Sequence, residues 1–302
     1  MSFGDKLRIA RLGAEVLLSS DRALLDACAS TSDLSTREFL LRRGFSDEFL
    51  SRFAQPFFGG VLLDNELSTS SALFRYYLKK FSTGRAWIPA GGIQALPDSI
   101  AAQLPPQKIR LNTKVIAIDG DRMILESGEI LPFSQLVLAL DESSLHQLLH
   151  QPPPPAPRGV AVVYFKTKTS LYERPCLVLP AGAHRLVRHF VQITNIAPEF
   201  APAGWHLVSA SILNFEGLNP AELVSRAAEE IAAIFPHARE SLIPFETLFV
   251  PNAVPDQPPG FASKPKPLLP NGVLACGDWK NGASIQAAIQ SGLEAARVVL
   301  GG

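Results

Sequence analysis

The clearest pattern of apolar and polar positions lies near the C-terminal end of the chain. A short apolar run at 272–276 follows an Asn271-Gly turn and is closed by Gly277 and Asp278, which predicts a buried strand. Apolar residues then recur at helical spacing until Gly301, and they predict an amphipathic helix: Ile285, Ala288, Ile289, Gly292, Ala295, Ala296 and Val299.

Small residues surround the predicted start of this helix: Gly282, Ala283, Ser284 and Ala287. They are expected to leave its first turn uncovered. The free N–H groups and the positive end of the helix dipole can then face an electron-rich ligand. This pattern predicts a cofactor site at the strand-to-helix connection.

The N-terminal part of the chain has the pattern of several short helices. Residues 4–19 form an amphipathic stretch. Ser35 and Glu38 form a capping box for a second helix, which Gly44 ends, and Ser46 caps a third that is expected to end before Pro56. The apolar stripe predicted to face the core on the first helix is Leu7, Ala10, Ala14, Leu17 and Leu18.

In the segment 55–61, two large side chains, those of two phenylalanines, are followed by two glycines, which have no side chain. It suits a turn packed on the core or a loop lining a cavity, and we favour the packing role. A helix over 68–81 follows. At Gly91-Gly92 a second diglycine turn leads into a further predicted helix.

Two kinds of sheet are predicted in the middle of the chain. Segments 109–118, 123–130 and 135–140 alternate and turn like a small antiparallel sheet, with turns at Asp119-Gly and Ser127-Gly. The proline-rich stretch 151–157 is predicted to be an extended connector between domains.

Beyond this connector, the sequence predicts further strands, which would form an antiparallel sheet suited to wall a substrate pocket: 159–166, 176–180, 188–193, 206–213 and 243–250. A helix capped at 219–222 interrupts them and reaches Phe235, and a proline-rich loop is predicted over 250–270.

Composition restricts the functions open to this chain. Its 302 residues are 47% hydrophobic, enough for one large or two smaller domains. Lys+Arg and Asp+Glu are both 28, so no net charge recruits nucleic acid. No run approaches the ~18 apolar residues of a membrane span, and three scattered cysteines indicate a reducing, cytoplasmic setting without a zinc site. Four of the six histidines share no metal-like spacing and are expected to be surface or core residues: His184, His189, His206 and His237.

The C-terminal residues carry a family resemblance. Gly277-Asp278, a short loop and then Ala-Ser-Ile-Gln-Ala-Ala-Ile-Gln-Ser-Gly from Ala283 resemble the C-terminal flavin motif of the amine oxidase and phytoene desaturase superfamily. The resemblance implies FAD as cofactor, with Asp278 at the ribityl or pyrophosphate part. It also implies that the backbone amides of Ser284 and Ile285 face the flavin pyrimidine edge, and that Val115 lies against the adenine side.

The same resemblance implies a fold and a domain arrangement. The chain lacks the Gly-x-Gly-x-x-Gly loop with which this superfamily begins, so at least one βαβ unit of about 30 residues is expected to be missing. The expected fold class is α/β or α+β, with an incomplete FAD/NAD(P)-type flavin domain and a substrate domain of helices and antiparallel sheet. The substrate domain is assigned to residues 1–84 and 144–263, and the flavin domain to 85–143 and 264–302.

Two positions bear on the branch of the superfamily. Amine oxidases place a lysine near Val160 and an aromatic residue at Ser284, and this chain keeps neither, so the desaturase-like branch fits better. Gln286 and Ala287 depart from the Glu and Gly of desaturases. No acid or base is assigned to catalysis, because hydride loss to a flavin needs mainly a positioned ring and a dry pocket.

The hypothesis is therefore an FAD-dependent oxidoreductase that dehydrogenates a lipophilic small molecule. The alternative is a truncated, non-catalytic remnant or binding module without bound flavin. Half a cofactor site is expected to bind FAD weakly and to expose apolar surface, so self-association and peripheral membrane contact are further partner expectations.

Overall fold

The computed structural model describes residues 2–180, 185–263, 269–270, 272–280 and 282–301. The predicted domain boundary at Lys264, the turn residue Asn271 and His184 lie outside them. The chain divides into two compact units, each of which is built from separate segments. Unit 1 comprises Met1–Ala90, Arg158–Ala253 and Pro258–Phe261; unit 2 comprises Gly91–Pro157, Val254–Gln257 and Ala262–Gly302. The functional roles assigned to the domains remain predictions.

The structure is a mixture of helix and sheet, as the sequence predicts. Its α-helices are α1 (Phe3–Leu18), α2 (Asp21–Asp26), α3 (Thr36–Arg42), α4 (Asp47–Phe49), α5 (Gly60–Leu62), α6 (Ser71–Thr83), α7 (Ala95–Ala101), α8 (Glu142–Leu148), α9 (Pro220–Ile234) and α10 (Ile285–Leu300). Its strands are β1 (Val115–Asp119), β2 (Arg122–Leu125), β3 (Ile130–Pro132), β4 (Leu136–Ala139), β5 (Arg158–Thr167), β6 (Val187–Gln192), β7 (His206–Ile212), β8 (Ile243–Val254) and β9 (Val273–Cys276). Within the described ranges, no helix combines the length and apolar character that crossing a bilayer requires.

Helix caps lie where the sequence predicts them. The hydroxyl of Ser35 accepts a hydrogen bond from the amide of Glu38 at 3.1 Å. At α9 the capping box is reciprocal, since Asn219 accepts from the amide of Glu222 while the Glu222 carboxylate accepts from the amide of Asn219, both at 3.0 Å. Gly301 ends α10 in the left-handed region, at φ 74°. These local signals are confirmed because each depends on residues a few positions apart.

The predicted core face of α1 is wrong. Leu7, Leu17 and Leu18 are exposed, and the helix instead buries Leu12 and Val16 together with a charged residue, Asp5. The Asp5 carboxylate accepts hydrogen bonds from the amide and hydroxyl of Ser46 at 3.1 and 2.6 Å, which lowers its pKa to about 2. Asp5, Leu12 and Val16 recur at helical spacing, so the buried stripe of α1 is narrower than the predicted one and lies on a different side of the helix.

The helix that begins after Ser46 does not end before Pro56. It continues through π-helical turns at Leu50–Gly59 with Pro56 inside them. Phe58, Gly59 and Gly60 are buried, which confirms the packing role predicted for 55–61. The two glycines permit close approach: a Cβ on Gly59 would lie 2.8 Å from the carbonyl oxygen of Asp64, and one on Gly60 would lie 2.3 Å from Nδ1 of His189.

A buried ion pair joins the helical part of unit 1 to its sheet. The carboxylate of Asp64, whose side chain is 2% exposed, lies 2.8 Å from Nη1 of Arg158 at the start of β5. It also accepts hydrogen bonds from the amide and hydroxyl of Thr69, both at 2.7 Å. Because every one of these donors is satisfied by the same carboxylate, the loop after α5 and the first residue of β5 are held together.

The sheet of unit 1 has four strands in the order β6-β7-β5-β8. Alternate residues of β5 and β7 pack against one face of α9, and the cluster includes Val163, Phe165, Val208, Leu223 and Ala227. Two strand predictions need correction: residues 176–180 contribute only an isolated bridge between Val178 and Phe190, and β8 runs to Val254 rather than to Val250. The start of the predicted proline-rich loop is therefore strand.

Unit 2 contains two small sheets rather than the single one predicted. β1, β2 and β3 form an antiparallel sheet with left-handed glycines at both turns, Gly120 and Gly128. β4 does not join it, contrary to the sequence-based prediction, but pairs in parallel with β9, from Leu136 beside Val273 to Ala139 beside Cys276. Leu136 and Leu138 pack in the apolar cluster of unit 2 while Val137 and Ala139 are exposed, and a run of apolar residues carries no alternation that identifies its partner strand.

We predict that Gly60→Ala destabilises the protein. The added Cβ would lie 2.3 Å from the buried Nδ1 of His189, so the imidazole must shift, at a cost of about 1–3 kcal/mol in unfolding free energy. Gly13→Ala in α1 is the matched control, because no atom lies within 4 Å of its Cβ. Removing a helical glycine there should stabilise by about 0.5–1 kcal/mol. Urea denaturation measures both, and equal stability of Gly60→Ala and wild type would contradict the contact.

We also predict a pH dependence from His189. Burial lowers its pKa from 6.5 to about 4, and its buried Nδ1 has no hydrogen-bond partner among the residues described. Between these two values the unfolded chain binds a proton that the folded chain does not, so stability is lost as the pH falls from 6.5 to 4.

The loss attributable to this group is on the order of 3 kcal/mol. His189→Gln removes the titrating group, and its unfolding free energy should fall less over the same window in denaturant titrations at a series of pH values. Identical pH profiles of the variant and the wild type would show that the imidazole is not held neutral.

Candidate functional site

The candidate site of unit 2 lies where two parallel strands end. β4 and β9 run in register to Ala139 and Cys276, so Leu140-Asp141 and Gly277-Asp278 leave the sheet at the same edge. In open α/β sheets, ligands bind at the carboxyl ends of the strands. The structure therefore brings a second acidic residue, Asp141, to the edge where the sequence predicts only Asp278.

The backbone at this edge is held by two side chains. Nε1 of Trp279 donates to the carbonyl oxygen of Leu140 at 3.1 Å, which fastens the end of β9 to the end of β4. The hydroxyl of Ser291, in α10, accepts from the amide of Gly277 at 2.9 Å and lies 3.0 Å from the carbonyl oxygen of Gly277. A Cβ on Gly277 would lie 2.3 Å from Nε1 of Trp279, so this position requires glycine.

The two acidic residues have different environments. Burial raises the pKa of Asp278, and the negative charge of Asp141 raises it further, while the amide of Trp279 opposes the shift. Asp141 caps α8 by accepting a hydrogen bond from the amide of Ser144 at 3.0 Å. Asp278 makes no ion pair within the described part of the chain. Hydrogen-bond donors of a ligand can therefore stabilise the charged form of its carboxylate.

The start of α10 presents free backbone donors. The hydroxyl of Ser284 caps the helix by accepting from the amide of Ala287 at 3.1 Å, and the amide of Ser284 donates to the carbonyl oxygen of Gly282 at 2.8 Å. The amides of Ile285 and Gln286, both exposed residues, have no acceptor among the described residues. The N–H groups open to a ligand are thus those of Ile285 and Gln286, whereas the amide of Ser284 is already engaged.

Sequence reasoning missed Gln257. Its Oε1 accepts from the amide of Ala283 at 2.9 Å, which fixes the loop before α10. The residue is 3% exposed, and its Nε2 is buried without a hydrogen-bond partner in the part of the chain that is described. A buried amide donor beside a helix start suits an oxygen or nitrogen acceptor of a ligand. Gln257 lies in a proline-rich segment where no local pattern distinguishes it.

The remaining site predictions occupy two places in unit 2. Gly277, Asp278, Ala283, Ser284 and Ile285 belong to the connection from β9 to α10 and to its helix start. Val115 is the first residue of β1, opposite Leu125 of β2. The far end of β1 packs on the same apolar cluster as β4 and β9, through Ile118. The binding role of these residues stays a prediction.

Comparison with solved structures supports the class of fold. The chain resembles an oxidoreductase from Methanosarcina mazei, with a TM-score of 0.72 and 18% identity over 98% of this chain and 73% of that one. It resembles a candidate protoporphyrinogen oxidase from Exiguobacterium sp. 255-15, with a TM-score of 0.65 and 15% identity over 100% and 73%. It also resembles reduced UDP-galactopyranose mutase, with a TM-score of 0.65 and 15% identity over 93% of this chain and 72% of that one. The fold is therefore of the α/β type found in FAD-binding oxidoreductases.

The sequence itself identifies the family. The model for flavin-containing amine oxidoreductases matches residues 1–300. This chain belongs to that family, as the resemblance at its C-terminal end implies. No curated protein matches the chain.

We predict that Ser291→Ala weakens unit 2. The substitution leaves the amide of Gly277 without its acceptor in a part-buried place, which typically costs about 1–3 kcal/mol. Ser99→Ala, at an exposed position of α7, is the control and should change stability by less than about 0.5 kcal/mol. Urea denaturation followed by Trp fluorescence measures both. Equal effects of the two substitutions would show that the link between α10 and Gly277 contributes nothing.

Proposed function

We propose that this protein is an FAD-dependent oxidoreductase whose flavin is held by the β9–α10 connection of unit 2. The observation that carries the proposal is the coincidence, at one strand-to-helix connection, of a half-buried acidic residue and free helix amides. Asp278 supplies the carboxylate, and Ile285 and Gln286 supply the amides. Membership of the flavin-containing amine oxidoreductase family supports it.

These residues fit FAD in chemical terms. A carboxylate whose pKa is raised by burial gains hydrogen bonds when ribityl or ribose hydroxyl groups reach it. Helix N-terminal amides suit the electron-rich carbonyl and nitrogen edge of the flavin pyrimidine, and Nε2 of Gln257 is a further donor close by. When bound, the flavin supplies a hydride acceptor, and the task of the protein is to bind, orient and exclude water.

The substrate is proposed to be lipophilic and to be dehydrogenated in a desaturase-like reaction. The support comes from unit 1, where β5 buries Ala161, Val163 and Phe165 against α9 and leaves its other face half-buried. That face carries Val160, Val162 and Tyr164. Val160 stands where amine oxidases of this superfamily place a lysine. The middle of this face is without that lysine, which favours a lipophilic substrate over an amine, and the charged residues of the same face, Arg158 and Lys166, lie at its two ends.

We predict that Asp278→Ala weakens FAD binding. Loss of a charge-assisted hydrogen bond should raise the dissociation constant about tenfold or more. Quenching of FAD fluorescence during titration with the purified chain measures it. Asp121→Ala, at the exposed turn between β1 and β2, is the control and should bind as the wild type does.

The outcomes separate the proposed function from its alternative. Flavin absorbance bands near neutral pH, or saturable FAD binding that Asp278→Ala weakens, support the oxidoreductase. Unchanged FAD affinity in Asp278→Ala removes this carboxylate from the site. A colourless protein that does not respond to added FAD would instead indicate a binding module without redox function.

A further inference from the structure

Unit 1 contains a separate concave site at the end of its sheet. It lies where β5 ends and β7 begins, beside the paired residues Thr167 and His206. The cavity has a volume of about 410 Å³, within the range of small-molecule sites. Its walls include Phe200, Trp205, Leu207 and Phe245, with Lys166 at one side.

None of the residues that line this pocket is among those proposed to hold the flavin, and the pocket lies at the other end of β5 from Val160. Every residue that lines it belongs to unit 1. Lys166 and Val160 point to the same face of β5 but are six residues apart, which in a strand is about 20 Å. The pocket therefore shares no residue with the proposed flavin site.

The aromatic rings of the pocket are not explained by packing of the core. Trp205 and Phe245 are outside the apolar cluster that joins α9 to the sheet, and Phe245 is 60% exposed. An exposed large aromatic surface that lines a concavity is typical of a ligand site. The rings provide flat apolar area for the body of a ligand.

Two lysines add positive charge to these rings. Nζ of Lys166 lies 5.6 Å from the ring centre of Trp205 and 5.8 Å from that of Phe245. Nζ of Lys168 lies 5.2 Å from the ring centre of Trp205. Neither ammonium group makes an ion pair with any carboxylate described here, although Glu199 precedes Phe200 in the adjacent loop. The positive charge is therefore available to a ligand anion.

We propose that this pocket binds an amphipathic organic carboxylate. Its apolar body packs on Trp205, Phe245 and Leu207. Its carboxylate pairs with Lys166, which lines the cavity, and with Lys168, whose ammonium group lies against the same Trp205 ring. Apolar surface and charge are both needed: a neutral lipid leaves the two lysines unpaired, and a small anion leaves the rings uncovered. One carboxylate between two point charges satisfies both parts of the site.

Calorimetric titration of the protein with decanoate tests the proposal. We expect saturable binding of one decanoate per chain. Decanamide has the same chain without the charge and acetate has the charge without the chain, and both should bind at least about tenfold more weakly. The double variant Lys166→Gln/Lys168→Gln should lose about tenfold or more in decanoate affinity. Lys6→Gln, at an exposed position of α1, should bind as the wild type does.

A second measurement locates the ligand. Decanoate should change the fluorescence of Trp205, and this change should disappear in Trp205→Phe while binding persists in calorimetry. Absence of saturable decanoate binding, equal affinities of the lysine double variant and the wild type, or an unchanged signal in Trp205→Phe would each overturn the proposal. None of these results depends on whether the protein binds FAD.

Discussion

The parallel pairing of β4 with β9 is the interaction on which the proposed cofactor site depends. It joins Leu136–Ala139 to Val273–Cys276, two segments far apart in the chain, and it sets Asp141 and Asp278 at one edge of a sheet. Trp279 then fastens the strand ends through the carbonyl oxygen of Leu140. Without this pairing, the acidic residue and the start of α10 would be isolated features of a loop and a surface helix.

Much of the local structure is predictable from the sequence, because it depends on short-range chemistry. Ser35 and Asn219 cap helices, and Gly301 ends one, since each acts on backbone groups within one turn. The pairing of strands is not predictable from such local signals. The run 135–140 has no feature that distinguishes a hairpin partner nearby from a parallel partner over a hundred residues later. The predicted antiparallel sheet forms from β1, β2 and β3, but the placement of 135–140 in it was wrong for this reason.

The candidate site was predictable in its position but not in its details. The acidic residue, the small residues and the amphipathic helix form a contiguous motif, so sequence reasoning locates the β9–α10 connection. It does not show that the amide of Ser284 is engaged with Gly282, or that Gln257 approaches Ala283. Both contacts arise from chain geometry rather than from residue type. The same holds for α1, whose buried face includes Asp5, a residue bonded to Ser46 41 positions later in the chain.

The order of synthesis determines when the Asp64–Arg158 ion pair can form. The residues that surround it come from either side of the first segment of unit 2, Gly91–Pro157, and Ser68 and Arg158, which also bond to each other at 2.9 Å, are 90 positions apart. A ribosome therefore releases the N-terminal helices long before the strand that neutralises Asp64. Until β5 emerges, that carboxylate has no arginine and must stay hydrated. During synthesis the helical part of unit 1 thus lacks its sheet while residues 91–157, the larger part of unit 2, are being added.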